Sequence, residues 1–270
     1  MKLGLMAGDV GRLVSSDELR AAGFEAVQAF FGFGAEPQAD DGDPAPEVID
    51  ELLTAGCVAL AAMTLHVDLV GPQGRKDADV DRAVRCVAKT AALQGRFGDN
   101  PQPVMIWHPS AYPEGDDVSD GVVFEGLCDA LATVCSAAEA RGVAVAIEIT
   151  RAGSVGSAET FLRIKDRVGS AALGVCMDAA NFTPDRTPLL RAVRMLAPHI
   201  VIAHGKDVRF DERGEVAAYG PTGSGTLDYR AYIQALQAYS EAPYFVLEYY
   251  RSRDDLFRAR DIVLRAIEGA

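Results

Sequence analysis

Eight times along the chain a short, nearly unbroken apolar run gives way to a longer amphipathic stretch rich in Ala and Leu. Few architectures accommodate that rhythm, because strands that alternate with helices pack as a parallel sheet covered by those helices. The runs predict strands over residues 2–6, 26–31, 59–64, 104–107, 143–149, 173–177, 200–203 and 245–248. Helices are predicted over 16–22, 46–55, 77–94, 122–140, 158–167, 188–196, 229–239 and 254–267. A (β/α)8 barrel uses about 250 residues. The expectation is therefore an α/β chain whose residues 1–270 form one barrel domain. An open doubly wound sheet shares the alternation but carries Gly-x-Gly-x-x-Gly after its first strand, where this chain reads Met6-Ala-Gly-Asp-Val-Gly-Arg.

The predicted strand ends carry the chemistry. Successive side chains of a strand face opposite sides, so Ala144, Ala146 and Glu148 share one face while Val143, Val145 and Ile147 share the other. Gly174, Cys176 and Asp178 repeat this pattern, and His204 and Glu248 each end a further apolar run. Three carboxylates and an imidazole at one rim would repel one another and suffer desolvation without a positive charge between them. A divalent cation answers both problems, and this donor set suits Mn²⁺, Mg²⁺, Co²⁺ or Zn²⁺ without choosing among them. Loops rich in Gly, Pro, Asp and Ser over 32–46, 70–76, 109–121 and 206–227 follow strand ends. In a barrel they gather on the C-terminal face, where active sites form.

Composition narrows the partners. With 26 Lys and Arg against 39 Asp and Glu, the formal charge is −13. A phosphate backbone would meet net repulsion, so no nucleic-acid partner is expected. The five cysteines form no Cys-x-x-Cys pair and read as small buried hydrophobes of a reducing compartment. The N-terminus lacks the apolar core of a secretory signal, and no apolar run approaches the ~20 residues that cross a bilayer. The expectation is a cytoplasmic protein with no membrane partner.

Five short motifs in this order resemble the xylose-isomerase-like TIM-barrel superfamily of sugar isomerases and epimerases. They are Glu-Ile-Thr at 148, Met-Asp-Ala-Ala-Asn at 177–181, His-Gly-Lys-Asp at 204–207, Gly-Ser-Gly-Thr-Leu-Asp at 223–228 and Leu-Glu-Tyr at 247. Each is weak alone; the spacing of 30, 26 and 44 residues between Glu148, Asp178, His204 and Glu248 carries the specificity. The superfamily's ketose 3-epimerases imply that these four bind one metal, with Glu148 and Glu248 as the acid/base pair. The implied reaction is isomerisation or epimerisation of a sugar or polyol ketone by proton transfer through an enediolate, without an organic cofactor. An inosose dehydratase-like lyase is the alternative on the same scaffold. An apurinic-site endonuclease is disfavoured, because no His follows His204 and Asn181 stands where that branch has its Asp-x-x-His histidine. The resemblance also implies a small carbohydrate substrate and a homo-oligomer.

Other residues receive subsidiary expectations. His66 and His108 follow the third and fourth strands and are expected to contact sugar hydroxyls, with ligation of a second metal as the alternative. Asn181 offers a carbonyl and an amide to a hydroxyl. Lys206 is expected to line the pocket, with Asp207 supporting His204 from behind. Arg209 is expected to grip an anionic substituent. Phe30, Phe31 and Phe33 are candidates for an apolar wall, Trp107 for the core, and Asp228 for a helix cap.

Overall fold

The computed structural model describes residues 1–31, 46–109, 111–115, 118–151, 153–182 and 188–269. In chain order the elements are β1 (Lys2–Met6), β2 (Ala26–Phe30), α1 (Pro46–Gly56), β3 (Ala59–His66), β4 (Val70–Gly71), β5 (Gly74–Arg75), α2 (Asp77–Ala92) and β6 (Val104–His108). There follow α3 (Asp120–Glu139), β7 (Ala144–Glu148), α4 (Ala158–Val168), β8 (Leu173–Asp178), α5 (Ala179–Phe182), α6 (Leu189–Leu196) and β9 (Ile200–Phe210). The chain ends with β10 (Val216–Pro221), α7 (Tyr229–Tyr239), β11 (Tyr244–Leu247) and α8 (Arg253–Glu268).

Parallel pairing runs β1-β2-β3-β6-β7-β8-β9-β11 and returns to β1. The sheet thus closes as a barrel of eight parallel strands, in the order the sequence alternation predicts. Strands buried on both faces read as continuous apolar runs, and every residue of β7 and β8 is buried. Local chemistry starts and stops the covering helices. Ser157, Asp228 and Ser252 accept from the backbone N–H three residues on, which begins α4, α7 and α8. Left-handed Gly169 and Gly269 end α4 and α8. The Asp228 cap agrees with expectation, as does Trp107, which is 1% exposed and donates Nε1–H to the Val67 carbonyl at 2.9 Å.

Three expectations need correction. The helix predicted over 16–22 is only a 3₁₀ turn, Ser16–Glu18. Ser15 and Glu18 form a capping box at its start, but a seven-residue stretch makes too few backbone bonds to stand as a helix, and left-handed Gly23 closes it. The loop predicted over 206–227 is largely a hairpin, because β9 continues well past His204 and pairs antiparallel with β10. A smaller hairpin, β4–β5, occupies most of the loop predicted over 70–76. The loop expected over 32–46 lies almost wholly outside the described residues.

By length and mean hydropathy α3 is sufficient to cross a membrane, although Asp120, Glu125, Asp129 and Glu139 interrupt its apolar residues. Its apolar side, including Leu127, Leu131 and Val134, is instead buried in the core. All five cysteines are free, and of these only Cys57 is exposed.

Candidate metal centre

Strand register decides which side chains share a level. Asp178 pairs with His204, His204 with Val246, Glu148 with Cys176, and His66 with His108. The last residues of β7 and β8, the middle of β9 and the residue after β11 therefore bring Glu148, Asp178, His204 and Glu248 together. Each offers a ligand atom, and all four atoms lie within 4.8 Å of one another. Ligands about 2.1 Å from a divalent ion stand at most about 4.2 Å apart, so a contraction of a few tenths of an ångström would complete a coordination shell. Asp178 Oδ2, His204 Nδ1 and Glu248 Oε1 are buried without a hydrogen-bond partner of good geometry. Three buried, under-satisfied atoms converging on one point fit a cation. Cys176 forms an overlapping set with Glu148 and His204.

Each of the four is held by its neighbours. Asp178 Oδ1 accepts from the Ala180 N–H at 2.9 Å, which leaves Oδ2 facing the cluster. Tyr232 Oη donates to the Met177 carbonyl at 2.8 Å, and Tyr229 Oη donates to the Lys206 carbonyl, so α7 anchors the strand ends on either side. Gln28 Nε2 donates to Thr64 Oγ1 at 2.9 Å, and that turns Gln28 Oε1 toward His204 Nε2, also at 2.9 Å. His204 then carries a proton on Nε2 and aims Nδ1 at the carboxylates, 3.6 Å from Glu148 and 3.9 Å from Glu248. Left-handed Tyr249 (φ 65°) follows Glu248, and this bend lets two successive residues line the same cavity.

A cation already stands among the carboxylates. The Lys206 ammonium contacts Asp178 Oδ2, lies 2.9 Å from Glu248 Oε1 and 3.7 Å from Glu148 Oε1, and is almost wholly buried. Burial favours neutral lysine, but Asp178, Glu248 and Glu148 outweigh it and hold the amine well above its usual range. Burial likewise favours neutral His204, yet Cys176 and Glu148 raise it well above the usual imidazole range. For Glu148 the balance falls the other way: burial raises it, but the facing His204 and Lys206 hold it well below the usual carboxylate range. Burial, with Lys206 opposing and Glu248 and Glu148 adding, pushes Asp178 up to about 7. Three acids facing two cations leave one excess negative charge, and Asp178 registers it.

Above the cluster lies a cavity of about 250 Å³ whose walls include Gln28, Phe30, His66, His108, Lys206 and Tyr249. The His66 and His108 rings stack with centroids 4.3 Å apart and planes within 1°. Desolvation and the neighbouring His108 lower His66 to about 4, although the outer side of the ring remains open to solvent. His108 Nε2 lies 3.9 Å from Glu148 Oε1. Larger hollows of about 330 Å³ near Pro101 and Tyr239 and about 660 Å³ beside α3 and α4 contain none of the clustered ligands. The smaller cavity is the one that meets the chemistry.

Three expected site residues lie elsewhere. Asn181 is buried in α5 and donates Nδ2 to the Ile149 carbonyl at 2.8 Å, so it braces the loop after β7 instead of lining the cavity. Arg209 is exposed on β9, with parity opposite to that of His204 and Lys206, and is not among the residues that line the cavity. Asp207 does not support His204, a role that Gln28 fills. Its carboxylate accepts from the backbone N–H groups of Val208, Gly223 and Leu227 at 2.9–3.1 Å. A Cβ on Gly225 would stand 2.4 Å from Asp207 Oδ1, so the Gly-rich segment wraps the carboxylate closely.

Asp207→Asn replaces one acceptor with a donor facing another donor, and about 1–2 kcal/mol of stability should be lost. Calorimetry should show the melting temperature falling by about 2–4 °C per kcal/mol; an unchanged melt would mean the cage contributes nothing. Among the phenylalanines, Phe30 lines the cavity, Phe31 is buried beneath the Lys89 ammonium, and Phe33 lies outside the described residues.

Gln28, Thr64 and Tyr219 are not singled out in the sequence, and Tyr249 enters there only as the last residue of the Leu-Glu-Tyr motif. Gln28 and Thr64 did leave a signal there, as polar residues inside apolar strand runs, each 1% exposed, because a buried polar side chain must find a partner.

A family model described as xylose isomerase-like TIM barrel matches residues 16–268. No curated protein matches the sequence. Among solved structures, a D-tagatose 3-epimerase-like protein is 16% identical, with a TM-score of 0.76 over 99% of this chain and 97% of that one. The IOLI protein with a bound zinc atom is 15% identical, with a TM-score of 0.72 over 99% and 98%. The probable 3-DHS dehydratase AsbF of Bacillus anthracis is 14% identical, with a TM-score of 0.73 over 98% and 99%. At these identities the likeness establishes the fold.

Proposed function

Because the chain belongs to the xylose isomerase-like TIM barrel family, we propose that it is a metal-dependent isomerase or epimerase of a small sugar or polyol ketone. The observation that carries this reading is the convergence of four prospective ligand atoms within 4.8 Å, three of them buried without a hydrogen-bond partner of good geometry. Glu148, Asp178, His204 and Glu248 would hold the ion. A bound divalent cation polarises adjacent hydroxyl and carbonyl oxygens, which acidifies the C–H bond between them.

The remaining work falls to the chain's own side chains. Glu148, kept ionised by His204 and Lys206, removes the proton from one face of the substrate. Glu248, whose Oε1 lies 3.9 Å from the same His204 Nδ1, enters the step protonated and gives that proton to the opposite face of the enediolate, so that each turnover exchanges one proton for another. The stacked His66 and His108 form a polar wall for hydroxyl groups, while Phe30 offers an apolar surface to a carbon without one. A cavity of about 250 Å³ suits a single small carbohydrate. The same base removing a proton β to a hydroxyl would give dehydration, and the fold likeness to a probable dehydratase keeps that reading as the second one.

The test combines metal analysis of the purified protein with a solvent-deuterium exchange screen across ketoses and inososes. Stoichiometric divalent metal and deuterium at the carbon beside the carbonyl are expected, with exchange lost on chelation and restored by added metal. A protein that neither retains nor binds Mn²⁺, Mg²⁺, Co²⁺ or Zn²⁺ would overturn the reading. Loss of water in place of stereochemical exchange would select the lyase.

A further inference from the structure

The Lys206 ammonium engages the same oxygen atoms a metal ion would need. It contacts Asp178 Oδ2 and lies 2.9 Å from Glu248 Oε1, two of the oxygens that face the centre of the cluster. Glu148 Oε1 stands 3.7 Å away. An ammonium and a divalent ion cannot share those oxygens at contact distance without strong repulsion. On its other side Lys206 faces two aromatic rings, with Nζ 5.1 Å from the Tyr249 centroid and 5.6 Å from the Tyr219 centroid. The two rings pack edge to face, 5.9 Å apart, and Lys206 and Tyr249 both line the cavity. Such ring faces can hold a cation that has left its carboxylates.

We propose that Lys206 is a built-in competitor for the metal: ion binding is an exchange in which the ammonium yields Asp178 and Glu248 and moves along the Tyr219 and Tyr249 faces into the substrate cavity. Metal loading then does two things at once. It occupies the carboxylate cluster, and it presents a hydrogen-bond-donating cation to the substrate oxygens. Charge supports this arrangement. Three carboxylates, a divalent ion, a neutral His204 and a nearby Lys206 sum to zero, so the lysine has reason to stay within the cavity after it is displaced. The inference rests on the metal reading above for the identity of the ligands, and the experiment separates the two.

The probe is Co²⁺, titrated calorimetrically into chelator-treated wild-type protein and Lys206→Met. Removing the competitor should tighten Co²⁺ binding at least about tenfold. Without metal the variant should melt below wild type, because Glu148, Asp178 and Glu248 lose their ammonium; with saturating Co²⁺ most of that difference should disappear. Binding that is unchanged or weaker in Lys206→Met overturns the inference.

If the variant does not fold without metal, the wild-type chain carries the test through acetylation by acetic anhydride, read at the Lys206 peptide by mass spectrometry. Saturating Co²⁺ should accelerate modification of Lys206, and an unchanged or slower rate overturns the exchange. Binding to Lys206→Met but not to wild type would support the competitor while overturning the metal-dependent function. Equal binding to both would do the reverse, and binding to neither would overturn both.

Discussion

Glu148→Gln and Glu248→Gln should each lower the rate of substrate-dependent deuterium exchange by about 10²–10⁴-fold, the range that a positioned general acid or base supplies. Both changes keep the shape of the side chain and remove the proton-accepting oxygen. They should also differ in kind. If each glutamate serves one face, Glu148→Gln should retain slow washout from one epimer while losing it from the other, and Glu248→Gln should show the mirror pattern. The measurement is single-turnover exchange followed by proton NMR from each epimer in turn, with circular dichroism confirming an intact fold. Full activity in either variant would sink the acid/base assignment. Glu148 is the more sensitive position, because it is buried and lies between His204 and Lys206. Neutralising it also removes a charge that both of those groups face.

The second large effect is expected at a cavity residue outside the four prospective metal ligands. Gln28→Leu should weaken divalent-metal binding about 10–100-fold, the usual loss when the group orienting a metal-bound histidine is removed. Gln28 Oε1 holds the proton on His204 Nε2, and Thr64 fixes which end of the Gln28 amide faces the ring. With Leu in its place, His204 can rotate or exchange tautomers, and Nδ1 ceases to be a pre-aimed donor. Gln28→Glu keeps an acceptor at that position and should recover most of the affinity. Direct titration of the chelator-treated variants with Co²⁺ reads this out. Equal affinity in wild type and Gln28→Leu would show that packing alone, including the Tyr229 and Tyr232 anchors on the strand ends, orients the imidazole.

Where the sequence reading succeeded and where it failed follows from the range of the forces involved. Strand parity is a property of consecutive residues, so the alternation ending in Glu148 and in Asp178 was visible without any tertiary knowledge. It places Glu148 and Asp178 on the small-residue face of their strands, and their ligand atoms lie together with those of His204 and Glu248. Arg209 shows the limit of the same rule. Counting from His204 along a continuing strand would have turned it outward, but the sequence suggested that the strand stopped at residue 203. The hairpin with β10 extends it, and a hairpin's partner strand is a tertiary fact. Asn181 was read as a free amide because nothing local revealed that the Ile149 carbonyl, 32 residues earlier, would claim it. Lys206 borders the cavity, but its contacts with Asp178 and Glu248 depend on residues brought in by two other strands.

The barrel itself was therefore determined by the sequence alone: eight apolar runs, each followed by an amphipathic segment or a short turn, with acids and a histidine at the strand ends, admit one closed way of burying both faces of every strand. Tertiary structure decided who meets whom. Closure brings β2 across from β9 so that Gln28 reaches His204 over 176 residues of separation, and it brings β8, β9 and β11 to one level so that one ammonium serves several carboxylates. The physical reason is that periodicity is written into neighbouring residues by local backbone geometry. The choice of a hydrogen-bond or charge partner depends instead on register and closure, to which distance along the chain is blind.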